Sequence, residues 1–346
     1  MTEIQEPKYN PRQAIYTFQH EEIRFQGRRA VRIENECVRL TIAVEGGHIA
    51  EILEKKSGVN PLWIPPWTSI EPSVYSAPEH PEYGVGAEAK LLAGILGHNT
   101  CLDLFGPPSA DEERAGITVH GEASVLPYEL QADSVGLIAT CTLPVSQLAF
   151  ERRFELDGPK IRIVETVGNL SALDRPIAWT QHVTLGPPFL ESGVTQFRAP
   201  GEPKDFETYT DVPASGGYST HLLDAHREKA WFFAYSPKSK VLLGYVWRRS
   251  DFPWLGVWEE NCSRKQAPWN GRTQARGMEF GVSPFPETRR EMIERQTLFD
   301  TACYRWLPAR ARLAVNYYAA IGQAAAIPET IEEFENALSS TCRTKI

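Results

Sequence analysis

Short runs rich in β-branched and aromatic residues, divided by clusters of Gly, Pro, Asn and Ser, recur along most of the 346-residue chain. This pattern is typical of β-strands. Predicted strands include residues 30–37, 39–44, 49–54, 128–132, 136–143, 230–235, 241–247 and 312–319. Because Gly and Pro are spread along the chain and mark no linker, we expect one all-β domain over residues 1–346, with a core of about 30–322.

The stretch from 150 to 190 predicts three consecutive strands, at residues 150–155, 160–167 and 177–185. Side chains alternate between the two faces of a strand. One face of the third strand is apolar, with Ile177, Trp179, Val183 and Leu185. The other is small and polar, with Ala178, Thr180, His182 and Thr184. His182 therefore lies on a face that suits a sugar-sized ligand better than a packed core.

Two segments have helical character. Residues 87–96 predict either a short helix or a covered loop. Residues 328–339 begin with a proline and acidic residues, and Ile331, Phe334 and Leu338 follow at helical spacing. This pattern predicts a C-terminal helix that packs on the outside of the sheets.

Charge and targeting signals exclude several classes of function. A net charge of −8 argues against nucleic acid, which requires a basic surface. No run approaches the roughly 18 apolar residues of a membrane span, so we expect no membrane association. The first 13 residues contain no apolar signal segment, and the six cysteines are scattered singly. We therefore expect a cytoplasmic protein with reduced thiols.

Nine tryptophans and twelve tyrosines favour carbohydrate as a ligand, because sugar rings lie flat on aromatic faces. The alternative is that these side chains fill the core of a large sandwich. The segments 61–67 and 251–254 are predicted loops, where large aromatic residues are harder to explain as core. Trp254, in the second segment, and Trp179 are candidate sugar contacts.

Three segments carry groups suited to acid–base chemistry. They are residues 116–122, with His120 and Glu122, the strand of His182, and residues 276–281, with Glu279. A carboxylate between Met278 and Phe280 would be desolvated, as a general base often is. The alternatives are a solvated glutamate, and histidines that simply hydrogen-bond within a core.

In this order, the three segments resemble the aldose 1-epimerase (galactose mutarotase) superfamily. Val119-His120-Gly121-Glu122 is similar to the family's L-H-G-G motif. Gln181-His182-Val183-Thr184-Leu185 is similar to its N-H-x-Y-F-N-L motif, and residues 277–284 to its G-x-x-L-E-x-Q-x-x-P stretch. The resemblance spans roughly residues 32–320 and implies a large antiparallel β-supersandwich with the sugar site on a concave face.

The resemblance also implies a mechanism without metal or organic cofactor. Glu279 would take the proton of the anomeric hydroxyl, His182 would protonate the ring oxygen, and His120 would hold a hydroxyl or the ring oxygen. The ring opens, the C1–C2 bond rotates, and closure gives the other anomer. The implied partner is a small-molecule sugar, and the sequence leaves the oligomeric state open.

Two family residues have no counterpart. The segment expected to supply an arginine reads LLAGILGHNTCLD, where His98 and Asn99 are the available substitutes. The family's Y-D-H-x-F aspartate is missing from Tyr218-Ser219-Thr220-His221. The resemblance therefore does not carry galactose or glucose specificity to this chain. The full set of expected substrate contacts is His98, Asn99, Glu122, Trp179, Glu259 and Trp254.

Other functions stay open at this point. A non-catalytic sugar-binding protein would share the fold and the aromatic residues. A metal-dependent enzyme could use His98, His120, Glu122 and His182, because a His-x-Glu spacing places both groups on one strand face. A sugar-phosphate epimerase would need a basic pocket, for which the adjacent arginines 248–249 and 289–290 are candidates.

Overall fold

The computed structural model describes residues 18–200 and 215–339. The expectations about residues 1–13 and Cys342 lie outside this range. Within it, almost all strands join two antiparallel sheets. None of the described helices is long and apolar enough to cross a membrane.

The first sheet carries the site described below. In spatial order its strands are β1 (Gln19–Phe25), β2 (Arg28–Glu34), β3 (Val38–Ala43), β4 (Ile49–Glu54), β5 (His98–Asp103), β10 (Arg175–Leu185), β16 (Gln274–Gly281), β15 (Trp254–Asn261) and β12 (Ser215–Leu222). A short strand, β19 (Arg305–Leu307), also pairs with β10. Strand β10 thus lies in the middle of the sheet, where neighbours on both sides fix its orientation.

The second sheet covers one face of the first. Its order is β11 (Gln196–Arg198), β13 (Lys229–Ser236), β14 (Val241–Arg248), β20 (Arg312–Gln323), β9 (Lys160–Asn169), β8 (Leu148–Asp157), β7 (Gly136–Leu143) and β6 (Glu129–Ala132). A separate ribbon pairs β17 (Thr297–Leu298) with β18 (Thr301–Ala302). The two packed sheets confirm the predicted all-β sandwich.

The main hydrophobic core lies between the sheets. On the β10 side it contains Ile177, Trp179, Val183 and Leu185, each 0% exposed. These residues form the apolar face that the sequence predicted for this strand. The alternation of a strand then directs His182 and Thr184 away from the core, towards the other face of the first sheet.

The helices are short. They are α1 (Ala89–Gly94), α2 (Ala110–Arg114), α3 (Arg289–Arg295) and α4 (Ile331–Ser339), with 3-10 turns at Pro81–Tyr83 and Glu122–Ser124. Helix α4 packs Phe334 and Leu338 against the outer face of the second sheet. The ring of Phe334 stacks on Phe233 at 4.5 Å. This is the position that the sequence predicted for the C-terminal helix.

Three local expectations were wrong. Trp254 begins strand β15 and does not lie in a loop. Glu122 begins a 3-10 turn, and His120 before it has a φ of 68°, so the two are not on one strand face. Cys37 is disulfide-bonded, while Cys101, Cys141, Cys262 and Cys303 are free thiols.

Candidate active site

A row of residues crosses the first sheet where the predicted catalytic groups meet. His182 on β10 is the register partner of Asn99 on β5 and of Glu279 on β16. Glu279 in turn is the partner of Gly256 on β15. Partners in adjacent strands point to the same face of a sheet. Register alone therefore places His182 and Glu279 side by side, on the face opposite the core.

The imidazole of His182 and the carboxylate of Glu279 are in direct contact. Nε2 of His182 lies 3.0 Å from Oε1 of Glu279. Nδ1 of His182 lies 2.9 Å from Oγ1 of Thr184, which orients the ring. Both residues are largely buried, at 6% and 3% exposure. Yet within the described part of the chain Oε1 of Glu279 accepts no hydrogen bond of good geometry.

His120 stands next to this pair with a defined protonation state. Its ring centroid lies 4.9 Å from that of His182. Its Nδ1 lies 2.7 Å from the carbonyl oxygen of Phe105. Because a carbonyl only accepts, Nδ1 carries the proton. Burial, with the charge of His182, lowers the pKa of His120 to about 3. At neutral pH the ring is therefore neutral, and its Nε2 is a hydrogen-bond acceptor.

A glycine makes room for the carboxylate of Glu279. A Cβ atom at Gly277, two residues earlier on the same face, would lie 2.6 Å from Oε1 of Glu279. It would also lie 3.2 Å from Cβ of Trp258. The Glu279 side chain thus leans over Gly277, which fixes the direction of the carboxylate.

These three groups line a cavity of about 670 Å³. Aromatic walls come from Phe105 and Tyr218 near His120, and from Trp258, whose ring centroid is 6.0 Å from that of His182. Tyr218 donates from its hydroxyl to the carbonyl of Pro284 at 3.0 Å. Burial and the nearby charge of Glu279 raise the pKa of Tyr218 well above its usual value, so the phenol stays protonated.

Four of the residues expected to contact substrate lie away from the cavity. His98 is one position before Asn99 on β5, and Trp179 is three positions before His182 on β10. Because side chains alternate along a strand, His98 and Trp179 point into the core between the sheets. Trp254 is buried at 1% exposure. Glu122 accepts hydrogen bonds from the backbone of Val145 and Ser146, at 3.2 and 2.7 Å. The structure therefore contradicts the expectation that these four side chains contact a ligand.

The other two expected contacts have different positions. Glu259 lines the cavity and pairs with Nη2 of Arg276 at 2.8 Å. Asn99 shares the face of His182 but is 0% exposed and does not line the cavity. Its Nδ2 has no hydrogen-bond partner within the described residues. Asn99 therefore belongs to the same row as His182 but is covered and does not reach the cavity.

The structure places an arginine in the cavity that the sequence did not indicate. Arg264, in the loop between β15 and β16, lines the wall and lies over the Trp269 ring at 4.5 Å. The arginine pairs considered from sequence lie elsewhere. Arg289 binds Asp103 and Glu112, and Arg290 is an exposed partner of Glu294. Arg264 comes from a loop without strand or helix periodicity, so no sequence pattern marked it.

The residues offered by sequence for a metal do not converge. His98 lies in the core and Glu122 is bound to a turn, as described above. Across residues 18–200 and 215–339 no group of three or more His, Cys, Asp and Glu side chains is arranged to hold a metal ion. The site is built from the contacting side chains of His182 and Glu279 and from aromatic walls.

Comparison with solved structures shows the fold. A candidate aldose 1-epimerase from Klebsiella pneumoniae aligns with a TM-score of 0.66 and 14% identity, over 92% of this chain and 84% of that one. A galactose mutarotase-like protein from Clostridium acetobutylicum aligns with a TM-score of 0.58 and 13% identity, over 89% and 99% of the two chains.

A galactose mutarotase-like protein from Lactobacillus casei aligns with a TM-score of 0.51 and 13% identity, over 85% and 100%. No protein-family model and no curated protein sequence matches the chain. The structural agreement over nearly whole chains confirms the predicted fold. The chain has the galactose mutarotase-like fold.

Proposed function

We propose that this protein is an isomerase of the aldose 1-epimerase type, which interconverts the anomers of a free sugar. The observation that carries the proposal is the contact between Nε2 of His182 and Oε1 of Glu279, 3.0 Å apart at an open cavity. Anomerisation needs a base at the O1 hydroxyl and an acid at the ring oxygen. Both oxygens are bonded to C1, so the two catalytic groups must also lie close together.

These two groups supply both proton transfers of the proposed reaction. Glu279 takes the proton from O1 while His182 donates a proton from Nε2 to the ring oxygen. The C1–ring oxygen bond breaks and C1 becomes an aldehyde. After rotation about C1–C2, the reverse transfers close the ring from the other face. Thr184, at 2.9 Å from Nδ1, accepts the second N–H when the imidazole is protonated.

The remaining cavity groups would hold the sugar. Neutral His120 offers Nε2 as an acceptor for a sugar hydroxyl next to the reacting centre. The half-buried ring of Trp258 offers an aromatic face for the C–H side of the sugar. The family arginine and aspartate have no counterpart here, and Glu259 and Arg264 stand in the cavity wall. This difference supports a sugar other than the usual galactose or glucose.

The test is anomer exchange measured by NMR at pH 7 across a panel of aldoses. We expect acceleration over buffer for at least one sugar. Glu279→Gln and His182→Asn should each lower the rate by roughly 10²–10⁴-fold, the range for a positioned acid or base. Glu155→Gln, on the outer part of strand β8, is the matched control and should exchange at the wild-type rate.

Two outcomes would contradict the proposal. Exchange no faster than buffer for every sugar, with folded protein that still binds one, would make it a sugar-binding protein. Acceleration that survives both substitutions would assign the chemistry to other groups. Circular dichroism of each variant checks that a lost rate does not reflect lost fold.

A further inference from the structure

An accessible ion pair stands in the wall of the cavity. Arg264, in the loop between β15 and β16, and Glu88, the residue before helix α1, both line the cavity. Nη1 of Arg264 lies 3.1 Å from Oε1 of Glu88, and the two side chains are 34% and 40% exposed. The proton transfers at His182 and Glu279 need neither group. The pair is therefore within reach of a ligand without taking part in the acid–base chemistry.

The guanidinium of Arg264 is held in one orientation. Its Cζ lies over the ring of Trp269 at 4.5 Å and over the ring of Trp258 at 5.6 Å. Its Nε lies 3.5 Å from Oε2 of Glu260, whose other oxygen accepts from the backbone N–H of Arg264 at 3.2 Å. A planar guanidinium held in this way presents its remaining N–H groups in a fixed direction. Little side-chain entropy is then lost when a ligand accepts from it.

One donor group and one acceptor atom of the ion pair stay without a partner among the described residues. No hydrogen bond or ion pair there engages Nη2 of Arg264 or Oε2 of Glu88. A hydroxyl group both accepts and donates, so a single hydroxyl can accept from Nη2 and donate to Oε2. An ionised phosphate or carboxylate only accepts, and it would compete with the two carboxylates already next to Arg264. These positions therefore match a neutral hydroxyl and not an anion.

Trp258 connects the ion pair with the catalytic groups. The centroid of its ring is 6.0 Å from that of His182 and 5.6 Å from Cζ of Arg264. Trp258 is half-buried and lines the same cavity. When C1 and the ring oxygen of a sugar lie at His182 and Glu279, the hydroxyl at Arg264 is one that a carbon away from C1 carries.

We propose that Arg264 and Glu88 are specificity-determining residues, which together bind one hydroxyl on C3, C4 or C6 of a neutral sugar. Nη2 of Arg264 donates to the hydroxyl oxygen, and Oε2 of Glu88 accepts the hydroxyl hydrogen. The inference rests on the proposed function, because that function places C1 at the catalytic pair. It also makes sugar phosphates poorer substrates than the corresponding free sugars.

The experiment measures kcat/KM of anomer exchange for sugars that differ by one hydroxyl. The probes are glucose, galactose, mannose and xylose, each with its 3- and 4-deoxy derivatives. The three hexoses are also tested as 6-deoxy derivatives and 6-phosphates. For the sugar that exchanges fastest, we expect one deoxy derivative to fall about tenfold below its parent, since it loses hydrogen bonds to charged groups. The 6-phosphate should exchange no faster than the free sugar.

Arg264→Met separates direct binding from a structural role, because methionine keeps an apolar side chain against the tryptophans and removes the guanidinium. We expect kcat/KM of the parent sugar to fall about tenfold and that of the discriminated deoxy derivative to stay unchanged, since the derivative lacks the contact already. Glu88→Ala should lower the same parent-to-deoxy ratio. It keeps the test decisive if Arg264→Met does not fold, because the Glu88 side chain makes no capping hydrogen bond to helix α1 within the described residues.

The matched control is Arg162→Met. Arg162 pairs with Asp157 at 2.7 Å on the second sheet, and both side chains are about half exposed. This variant should change neither rate. The inference is overturned if no deoxy derivative is discriminated, if a 6-phosphate is preferred over its free sugar, or if folded Arg264→Met slows the parent and the deoxy derivative equally. Unfolding curves establish that each variant is folded.

Calorimetric binding separates this inference from the proposed function. If no sugar exchanges faster than buffer, but one binds about tenfold more tightly than its deoxy derivative and Arg264→Met removes the difference, the isomerase proposal fails and the hydroxyl contact stands. If exchange is fast and Arg264→Met and Glu88→Ala leave every parent-to-deoxy ratio unchanged, the isomerase proposal stands and the hydroxyl contact fails.

Discussion

Buried carboxylate and imidazole groups lie on both sides of the first sheet around strand β10, but they differ in how fully they are hydrogen-bonded. On the core face, Glu165 accepts four hydrogen bonds, from Arg152, Tyr317, Trp179 and Gln181, at 2.6 to 2.9 Å. On the cavity face, Glu279 is as deeply buried, yet its Oε1 accepts none of good geometry within the described residues. Burial is therefore similar for the two carboxylates, and what distinguishes them is the number of hydrogen bonds that each accepts.

The histidines differ in the same way. His98, on the core face, is held on both nitrogens, by Tyr245 at 3.1 Å and Gln181 at 3.0 Å. Burial and the charge of Arg152 hold its pKa well below the usual range. His182 has one nitrogen on Thr184 and the other aimed at Glu279 beside open space. The hydrogen-bond network on the core face is saturated and holds the sheets together. The network on the cavity face is incomplete and leaves hydrogen-bonding positions that a substrate can use.

The largest loss of unfolding free energy should come from disrupting the saturated hydrogen-bond network on the core face. Glu165→Gln leaves the buried guanidinium of Arg152 without its ionic partner, at 2.6 Å in the wild type. Removing one member of a buried ion pair costs about 3–5 kcal/mol, and urea unfolding should show this loss. Glu155→Gln removes a half-exposed partner of Arg153 and should change the unfolding free energy by less than about 1 kcal/mol. Equal losses of unfolding free energy in the two variants would contradict the view that the core-face network holds the sheets together.

A smaller effect should come from crowding Glu279 without removing it. Gly277→Ala places a methyl group 2.6 Å from Oε1 of Glu279, so the carboxylate must turn away from its position. We expect kcat/KM for anomer exchange to fall by about tenfold, because small displacements of catalytic groups are costly. Gly168→Ala, where the nearest atoms would lie at 3.6 Å, is the control. An unchanged rate in Gly277→Ala would mean that the direction of Glu279 does not matter.

The third effect is a slope, in the dependence of stability on pH. The pKa of His120 is about 3 in the folded protein, whereas an unfolded histidine titrates near 6.5. The unfolded state therefore binds more protons between these values, and the contribution of His120 is lost as the pH falls from about 6.5 towards 3. His120→Asn should flatten the curve of unfolding free energy against pH, by at most about 1.4 kcal/mol per pH unit.

The comparison for this test is between the two curves, because His48 and His98 also have lowered pKa values and remain in both proteins. Parallel curves for wild type and variant would show that His120 takes up protons equally in the folded and unfolded states, and would contradict its lowered pKa in the folded protein.

The sequence predicted the parts of the site that depend on strand alternation. His182 was placed on the polar face of its strand, and Trp179 on the apolar one, by position alone. The pairing with Glu279 followed only from the order of three motifs, since register between β10 and β16 depends on the whole sheet. The unpredicted strand β5 explains another error: adjacent residues on it face opposite sides, so His98 and Asn99 could not both approach the sugar.

The cavity walls that come from loops could not be predicted in this way. Trp63 and Trp269 are about two hundred positions apart and meet because separate loops fold over one sheet. The sequence marked residues 61–67 as a predicted loop whose aromatic residues are hard to explain as core, and Trp63 lines the cavity. Arg264 and Trp269 carried no such signal. Loops lack the periodicity that ties a residue to a face.

The most direct test of the account compares two buried glutamates in one experiment. Anomer exchange by NMR at pH 7 is measured for wild type, Glu279→Gln and Glu165→Gln, each normalised to its folded fraction. We expect Glu279→Gln to lose at least about 10²-fold in rate while keeping wild-type stability, and Glu165→Gln to lose stability while its folded molecules still catalyse exchange. Catalysis that persists in Glu279→Gln and disappears in folded Glu165→Gln would contradict the account.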